Sequence, residues 1–423
     1  WDWNWFKGPI ESRVEAQTGR DFEIAGDLEV GLGWTTTVTA DGVTLGNAAW
    51  SKEPTMAEAG QVAIDIAIKP LFSRRVHVPM VRLQSPSLRL EKGPGGVGNW
   101  DFLPEAADDE GREVQLRRLW ISKGQLTYRD PKAGTDVDVS VDSVAADGNS
   151  APPIVVEGSG HWQGSGFTLH GRAESPLDLQ DPASPYRIDA HAEAGATRAH
   201  VRGTLLDPLR LRDFDLQLSL AGSDLAELYP LLGIALPPTP PYTLDGRLTR
   251  EVAGKRTTWH YDDFAGTVGD SDLGGDASIA TGGARPFLRG NLVSRKLDFD
   301  DLAGFIGAAP DTGGGETTNT RLAAQAARQR ASAKLLPDTP YDLEKLRAMD
   351  ADVRLRAGRS EAPKQTLDDM DAHLLLEAGV LRLDPLDFGV AGGTIRSTIR
   401  MDARESPIRT RADIRARGLN LGP

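Results

Sequence analysis

The chain has 423 residues, 39% of them apolar, with 46 glycines, 27 prolines and no cysteine. That length calls for more than one ordinary core or for a repeating architecture, and a chain without cysteine has no disulfides, no thiol catalysis and no cysteine-based zinc site. Lys and Arg number 48 against 61 Asp and Glu, a formal charge of -13, so nucleic acid is not an expected partner: no surplus of cations is left to neutralise a phosphate backbone.

The first stretch, "WDWNWFKGPIESRVEAQTGRDF", sets Trp1, Trp3 and Trp5 at alternate positions. Behind them Pro9 suits a helical first turn, Ile10 and Val14 share one helical face and Gly19 supplies a stop, so residues 1–20 read as an entry segment and a short helix. From residue 21 the apolar period falls from 3.6 to 2. In "QVAIDIAIKPL", Val62, Ile64, Ile66 and Ile68 alternate with small or charged partners, and Leu88 and Leu90 do the same in "SPSLRLE". Such segments are half-buried antiparallel strands, and they fill a first β region over residues 21–150. A second, over 151–306, contains Leu216 and Leu218 in "DFDLQLSL"; a third, over 341–423, contains Ile395 and Ile399 in "GTIRSTIRMDA".

Two segments interrupt the alternation. Residues 104–113, "PEAADDEGRE", form an acidic loop, and residues 307–340 begin as a Gly-rich linker and continue as an Ala/Arg/Gln helix near 316–336. Repetition is visible as well: "PPYTLDG" at Pro240 is echoed by "TPYDLEK" at Thr339, and Asp224-Leu225-Ala226 recurs as Asp301-Leu302-Ala303. A recurring unit suggests one sheet grown by repetition.

Motifs that would carry chemistry are weak. "GPGGVG" fits the dinucleotide pattern with Gly93, Gly95 and Gly98, yet Pro104 and an acidic stretch that would repel phosphate follow where a helix is required, so a cofactor loop is not expected. Asp270, Asp272 and Asp276 lack the register of a calcium loop and read as a turn between strands. The seven histidines, His77, His161, His170, His191, His200, His260 and His373, fall in no metal-binding spacing. Acid pairs such as Asp262-Asp263 and Asp368-Asp369 do not identify a hydrolase without geometry, and no catalytic, cofactor or metal residue is assigned.

One-faced strands must cover their apolar face. Either two sheets close into a sandwich serving as a structural or interaction module, or one sheet curls so that the face lines a trough. An open apolar trough is costly at ~25 cal/mol per Å² unless acyl chains fill it, which makes lipid its natural occupant.

The strings "DWNWFKGPIESRVEAQTGRDFEIAGDLEV", "GVTLGNAAWSKEPTMAEAGQVAIDIAIKPLFSRRVHVPMVRLQSPSLRLEKGPGGVGNW", "GTVGDSDLGGDASI" and "LPDTPYDLEKLRAMDADVRLRA" resemble the AsmA family of bacterial envelope proteins, in order and over nearly the whole chain. The resemblance implies a mostly β protein whose long, twisted antiparallel sheet curls into an elongated groove. It also implies a periplasmic location, an inner-membrane anchor preceding Trp1, non-enzymatic phospholipid binding or transport in support of outer-membrane biogenesis, and outer-membrane partner proteins. On that basis Val62, Ile64, Ile66, Ile68, Leu88, Leu90, Leu216, Leu218, Ile395 and Ile399 are the expected groove lining. Trp1, Trp3 and Trp5 are the expected membrane-interface residues.

Overall fold

Gly19 ends the first helix as the sequence requires: it adopts the left-handed conformation, φ 63°, and its N–H reaches Glu15 O. The structure is a computed structural model and describes residues 2–71, 76–101, 114–146, 151–162, 164–180, 184–206, 213–298, 301, 347–362, 365–405 and 408–419. The expected helix near 316–336 and the acidic loop 104–113 lie outside those residues. The chain divides into two units, Trp1–Ala194 with Leu206–Arg210, and Gly195–Leu205 with Leu211–Pro423.

In the first unit a single 3-10 turn, η1 (Asn4–Phe6), runs into α1 (Lys7–Thr18). Phe6 and Ile10 pack on Ile24, Leu28 and Ala40. Two short strands, β1 (Phe22–Ile24) and β2 (Leu28–Gly31), pair antiparallel with β3 (Thr35–Gly46), which continues to β4 (Thr55–Ala67) and β5 (Val76–Glu91). The helical turn α2 (Ile68–Leu71) joins β4 to β5. Strand β5 then runs parallel to β6 (Val114–Leu116), β7 (Leu119–Ser122) and β8 (Gly124–Asp130). Antiparallel pairing resumes through β9 (Thr135–Ser143), β10 (Ile154–Trp162), β11 (Ser165–Ala173) and β12 (Tyr186–Ala194).

The second unit holds β13 (Thr197–Leu206) up to Leu205 and an antiparallel series of β14 (Asp213–Gly222), β15 (Tyr242–Ala253), β16 (Arg256–Val268), β17 (Ser271–Thr281) and β18 (Phe287–Asp298). Strand β18 pairs parallel with β19 (Asp350–Ala362), after which β20 (Gln365–Glu377), β21 (Val380–Val390), β22 (Gly393–Asp402) and β23 (Arg409–Arg417) are antiparallel. The architecture is the mostly β, open-sheet one expected. It departs from uniform antiparallel pairing at two places, β5 to β8 and β18 to β19. Parallel neighbours need a crossover of about a dozen residues or more, and the two segments that interrupt the alternation in the sequence fall at these two connections.

Side-chain alternation changes phase along a line across the first sheet. Gly42 (φ 64°), Ser85 (φ 48°) and Lys123 (φ 54°) are left-handed at one level of β3, β5 and the β7–β8 junction, beside Gly60 of β4. The Lys123 N–H is held by Asp142 Oδ1 at 2.6 Å. Because neighbouring strands shift together, Val38, Ala40 and Val43 pack in one cluster, and Ile121 with Leu126 in another. The second sheet does the same with bulges between Asp245 and Arg247, Tyr261 and Phe264, and Asp368 and Asp371. Its left-handed residues there are Asp263 (φ 50°) and Asp369 (φ 49°), so the acid pairs in the sequence are bulge residues. Asp, like Asn, tolerates this conformation better than most residues with a side chain.

The repeat is structural too. After β14, Asp224 is buried and accepts the N–H groups of Ala226 and Thr239, both at 2.9 Å, to start η3 (Leu225–Leu228) and α3 (Tyr229–Leu232). After β18, the buried Asp301 accepts the N–H groups of Asp270 and Ser271 and the Ser271 hydroxyl at 2.6 Å. A third member precedes β12: buried Ser175 opens η2 (Pro176–Gln180), and Pro185-Tyr186 matches Pro241-Tyr242. Burial pushes the Asp301 carboxyl up to about 6, the Ser271 donors opposing and Asp298 adding repulsion. Burial would also raise Asp272, but donors from Lys296, Arg295 and Ser294 hold it at about 2.

A β-branched residue strains at φ near 50°, so Asp263→Val lowers stability by ~1–2 kcal/mol while Asp263→Gly leaves it within ~0.5 kcal/mol, measured by denaturant unfolding. Because the folded-state value of Asp301 lies above its unfolded one, its contribution is favourable below about pH 4 and lost as pH rises through about 6. Asp301→Asn keeps an acceptor for the N–H groups and removes that slope; identical stability-versus-pH profiles for the two proteins would contradict this account.

Candidate functional site: the apolar face of each sheet

Residues directly opposite across a ladder share a face, so the registers trace what each face presents. In the first unit Leu45, Ala57, Leu88, Leu126, Val139, Gly158, Leu169 and Ala192 stand in one row across β3, β4, β5, β8, β9, β10, β11 and β12. Beside it run Ala40, Val62, Leu83 and Ile121, and Val38, Ile64, Val81 and Leu119. In the second unit one row crosses ten strands: Leu216, Leu248, Tyr261, Ala277, Gly290, Val353, Leu374, Leu383, Ile399 and Ala412.

Most members of these rows are half-buried; Val139 and Leu216 are among the buried ones and Ala412 is exposed. Leu45, Leu88, Leu126, Leu169, Leu248, Val353, Leu374, Leu383 and Ile399 are all intermediate in exposure, whereas the inner face of a sandwich buries such residues. Part of each face is capped. In the first unit α1 supplies Phe6 and Ile10; in the second the segment after α3 places fully buried Ile234 on Met349, Ala351, Leu376 and Leu381. Glycines form the floor where β10 meets its neighbours. At Gly158 a Cβ would sit 2.1 Å from Asp138 O, and at Gly160 and Gly171 it would press on Phe167 and Ala190, a close approach that leaves no room for a side chain.

The reverse face is wet and charged. Arg82 holds Asp65 at 2.8 Å, Arg89 reaches Glu58 at 2.8 Å, Arg247 reaches Asp215 at 2.7 Å and His373 Nε2 lies 2.8 Å from Asp352. The Asp65 and Asp215 carboxyls are lowered chiefly by these arginines. The more exposed pairs, Arg89 with Glu58 and Arg247 with Asp215, add little stability; they keep the outer face hydrated. His170 and His191 stack there at 4.9 Å beside Glu157 and Arg172.

Nine of the ten expected lining residues lie on strands within these faces. Val62, Ile64 and Ile66 are on β4, Leu88 and Leu90 on β5, Leu216 and Leu218 on β14, and Ile395 and Ile399 on β22, opposite Phe388 and Leu383. Ile68 is the correction. Pro70 cannot extend the ladder, so β4 stops at Ala67 and Ile68 opens α2, its N–H on Trp34 O at 3.0 Å. Sequence reading missed Val139, Leu169, Val353 and Leu374, and it missed the glycine floor because glycine leaves no apolar signal.

Trp1 lies outside the described residues. Trp3 is half-buried and Trp5 is 65% exposed, and both stack on Phe6, at 5.7 and 3.6 Å. Gly93 and Gly98 sit against the rings of Trp50 and Trp100 in a tight turn, with buried Asn99 bonded to Asn47 and Arg89, and the described residues after "GPGGVG", Asn99 to Asp101, continue as turn. The acids of "GDSDLGGDA" serve the sheet: Asp272 secures β18 and Asp276 accepts the N–H of Asp263. Among the described residues no helix is long and apolar enough to cross a membrane.

The sequence has recognisable relatives. The AsmA family model matches residues 1–160 and 155–423. The AsmA family protein YhjG of Escherichia coli (strain K12) is 31% identical over 464 aligned residues, covering 99% of this chain and 67% of that protein. No solved structure matches the chain. Matches over essentially its full length, to the family model and to that relative, place the chain in the AsmA family.

Proposed function

We propose that the apolar faces hold the acyl chains of phospholipids and that the protein carries such lipid through the bacterial periplasm, between inner and outer membrane, in support of outer-membrane biogenesis. The observation that carries this reading is the row of mostly half-buried apolar side chains, rich in Leu, Val and Ile and interrupted only by small residues and Tyr261, that continues from strand to strand in each sheet. Water against such a row is unfavourable, and a hydrocarbon chain replaces it with dispersion contacts while its headgroup stays at the wet rim. Membership of an envelope-associated family supports the periplasmic setting. No bond is made or broken: the protein shields, and movement follows the lipid's own gradient or the work of partner proteins in either membrane. Trp3 and Trp5 suit the inner-membrane interface, where an aromatic ring buries its body and leaves its N–H wet.

Solvent extraction and mass spectrometry of the purified protein should return phospholipid. Leu169→Asp and Leu374→Asp, each placing a carboxylate in the middle of a row, should reduce the recovered lipid several-fold while circular dichroism stays that of the wild type, because both positions are half-buried and a carboxylate there keeps access to water. A lipid-free wild-type protein that also fails to take up labelled phospholipid would falsify the proposal.

A further inference from the structure

The two most exposed large apolar side chains among the described residues belong to one turn. Leu32 is 76% and Trp34 is 74% exposed, with Gly33 between them, at the tip of the hairpin joining β2 to β3. Single exposed apolar residues are ordinary on a protein surface; two bulky ones set two apart in a three-residue turn are not. The turn is fixed from beneath. The Ile68 N–H donates to Trp34 O at 3.0 Å, and the Thr36 hydroxyl donates to Gly33 O at 3.2 Å, with Thr36 itself buried. Lys69 of α2 places Nζ 5.3 Å from the centre of the Trp34 ring. The turn backbone is therefore tied to the start of α2 and to β3 while both side chains stay exposed, with the Lys69 ammonium over the Trp34 ring.

We infer that this turn dips into the headgroup region of a lipid bilayer. Three features favour a membrane over a protein pocket. Trp beside Leu is the pairing that suits the headgroup–acyl boundary; a Lys stem can lie along the ring while its ammonium meets lipid phosphate; and a convex tip on a pinned turn enters a fluid surface without needing a matching cavity. The tip sits at the end of the first sheet where Ala67 faces both Thr35 and His77. The opposite end carries the β8–β9 turn with exposed Lys132, because Arg129 pairs with Glu91 at the far end of β5. The 16 residues of β5, at ~3.3 Å each, put the two ends roughly 50 Å apart. Only one end of this sheet thus touches the bilayer, and that end is where a lipid would enter or leave.

The inference stands apart from the acyl-chain reading: a protein that docks by this turn but never holds lipid would refute that reading and leave this one. The absence of native cysteine makes the test direct. Leu32→Cys and, separately, Lys132→Cys are labelled with an environment-sensitive nitrobenzoxadiazole dye and mixed with phosphatidylethanolamine vesicles containing phosphatidylglycerol. The dye at 32 should shift to the blue, brighten several-fold and be quenched by acyl-chain nitroxide lipids, while the dye at 132 stays water-like. In vesicle flotation, Trp34→Ser combined with Lys69→Gln should lower the bound fraction roughly tenfold with an unchanged melting temperature. A dye at 32 that remains water-like with vesicles, or dyes at 32 and 132 that respond alike, overturns it, as does vesicle binding that the double substitution leaves intact.

Discussion

A one-layer sheet with an apolar face depends on phase. If one strand slipped by a single residue, its whole apolar set would turn to the wet side and split the face in two. The ladder hydrogen bonds therefore hold the face together as well as the sheet. Strands of 12, 13 and 16 residues make this harder, since twist accumulates along such lengths. The molecule resolves the conflict with coordinated irregularities. Gly42, Ser85 and Lys123 turn left-handed at one level, Asp263 and Asp369 do so in the second sheet, and the alternation of neighbouring strands shifts together. Irregular backbone here preserves the regularity of the face.

Much of this was legible in the sequence because two periods carry it. Alternation at Val62, Ile64 and Ile66 or at Ile395 and Ile399 reports a half-buried strand directly, and Gly19 marks the end of α1. The failures each have a physical cause. Ile68 continued the alternation, but Pro70 two residues on had already removed the donor the ladder would need. Asp262-Asp263 and Asp368-Asp369 carried no assigned role in the sequence; the structure shows them as bulge residues, which sequence does not reveal because it shows the carboxylate and not the left-handed φ. Gly158, Gly160 and Gly171 line the face while contributing nothing to a hydrophobic pattern. Strand direction left no trace in the alternation, which is the same for parallel and antiparallel neighbours; only the interruptions near 104–113 and 307–340 hinted at crossovers.

The two faces of each sheet divide the labour. On one, arginine–carboxylate pairs such as Arg247 with Asp215 bind each other and water; on the other, apolar rows leave room for a guest. The buried polar groups serve the links. Asp224 and Asp301 occupy equivalent places after β14 and β18, each gathering backbone N–H groups at the point where the chain leaves the sheet. The repeat thus recurs in its joints more than in its strands, which explains why it shows in the sequence as a scattered Asp-Leu-Ala and a Pro-Tyr rather than as long similar strings.

The parallel junction between β18 and β19 also bears on how such a sheet is made. Most neighbours are joined by short turns, so each strand finds its partner in the strand just synthesised, and loop closure is cheap. At β18 the partner lies beyond a long intervening segment, with Phe287 opposite Asp350. Assembly by successive addition would pause there until β19 emerges. Pairing β18 with β19 therefore carries a larger loop-closure cost than the tight hairpins on either side of it.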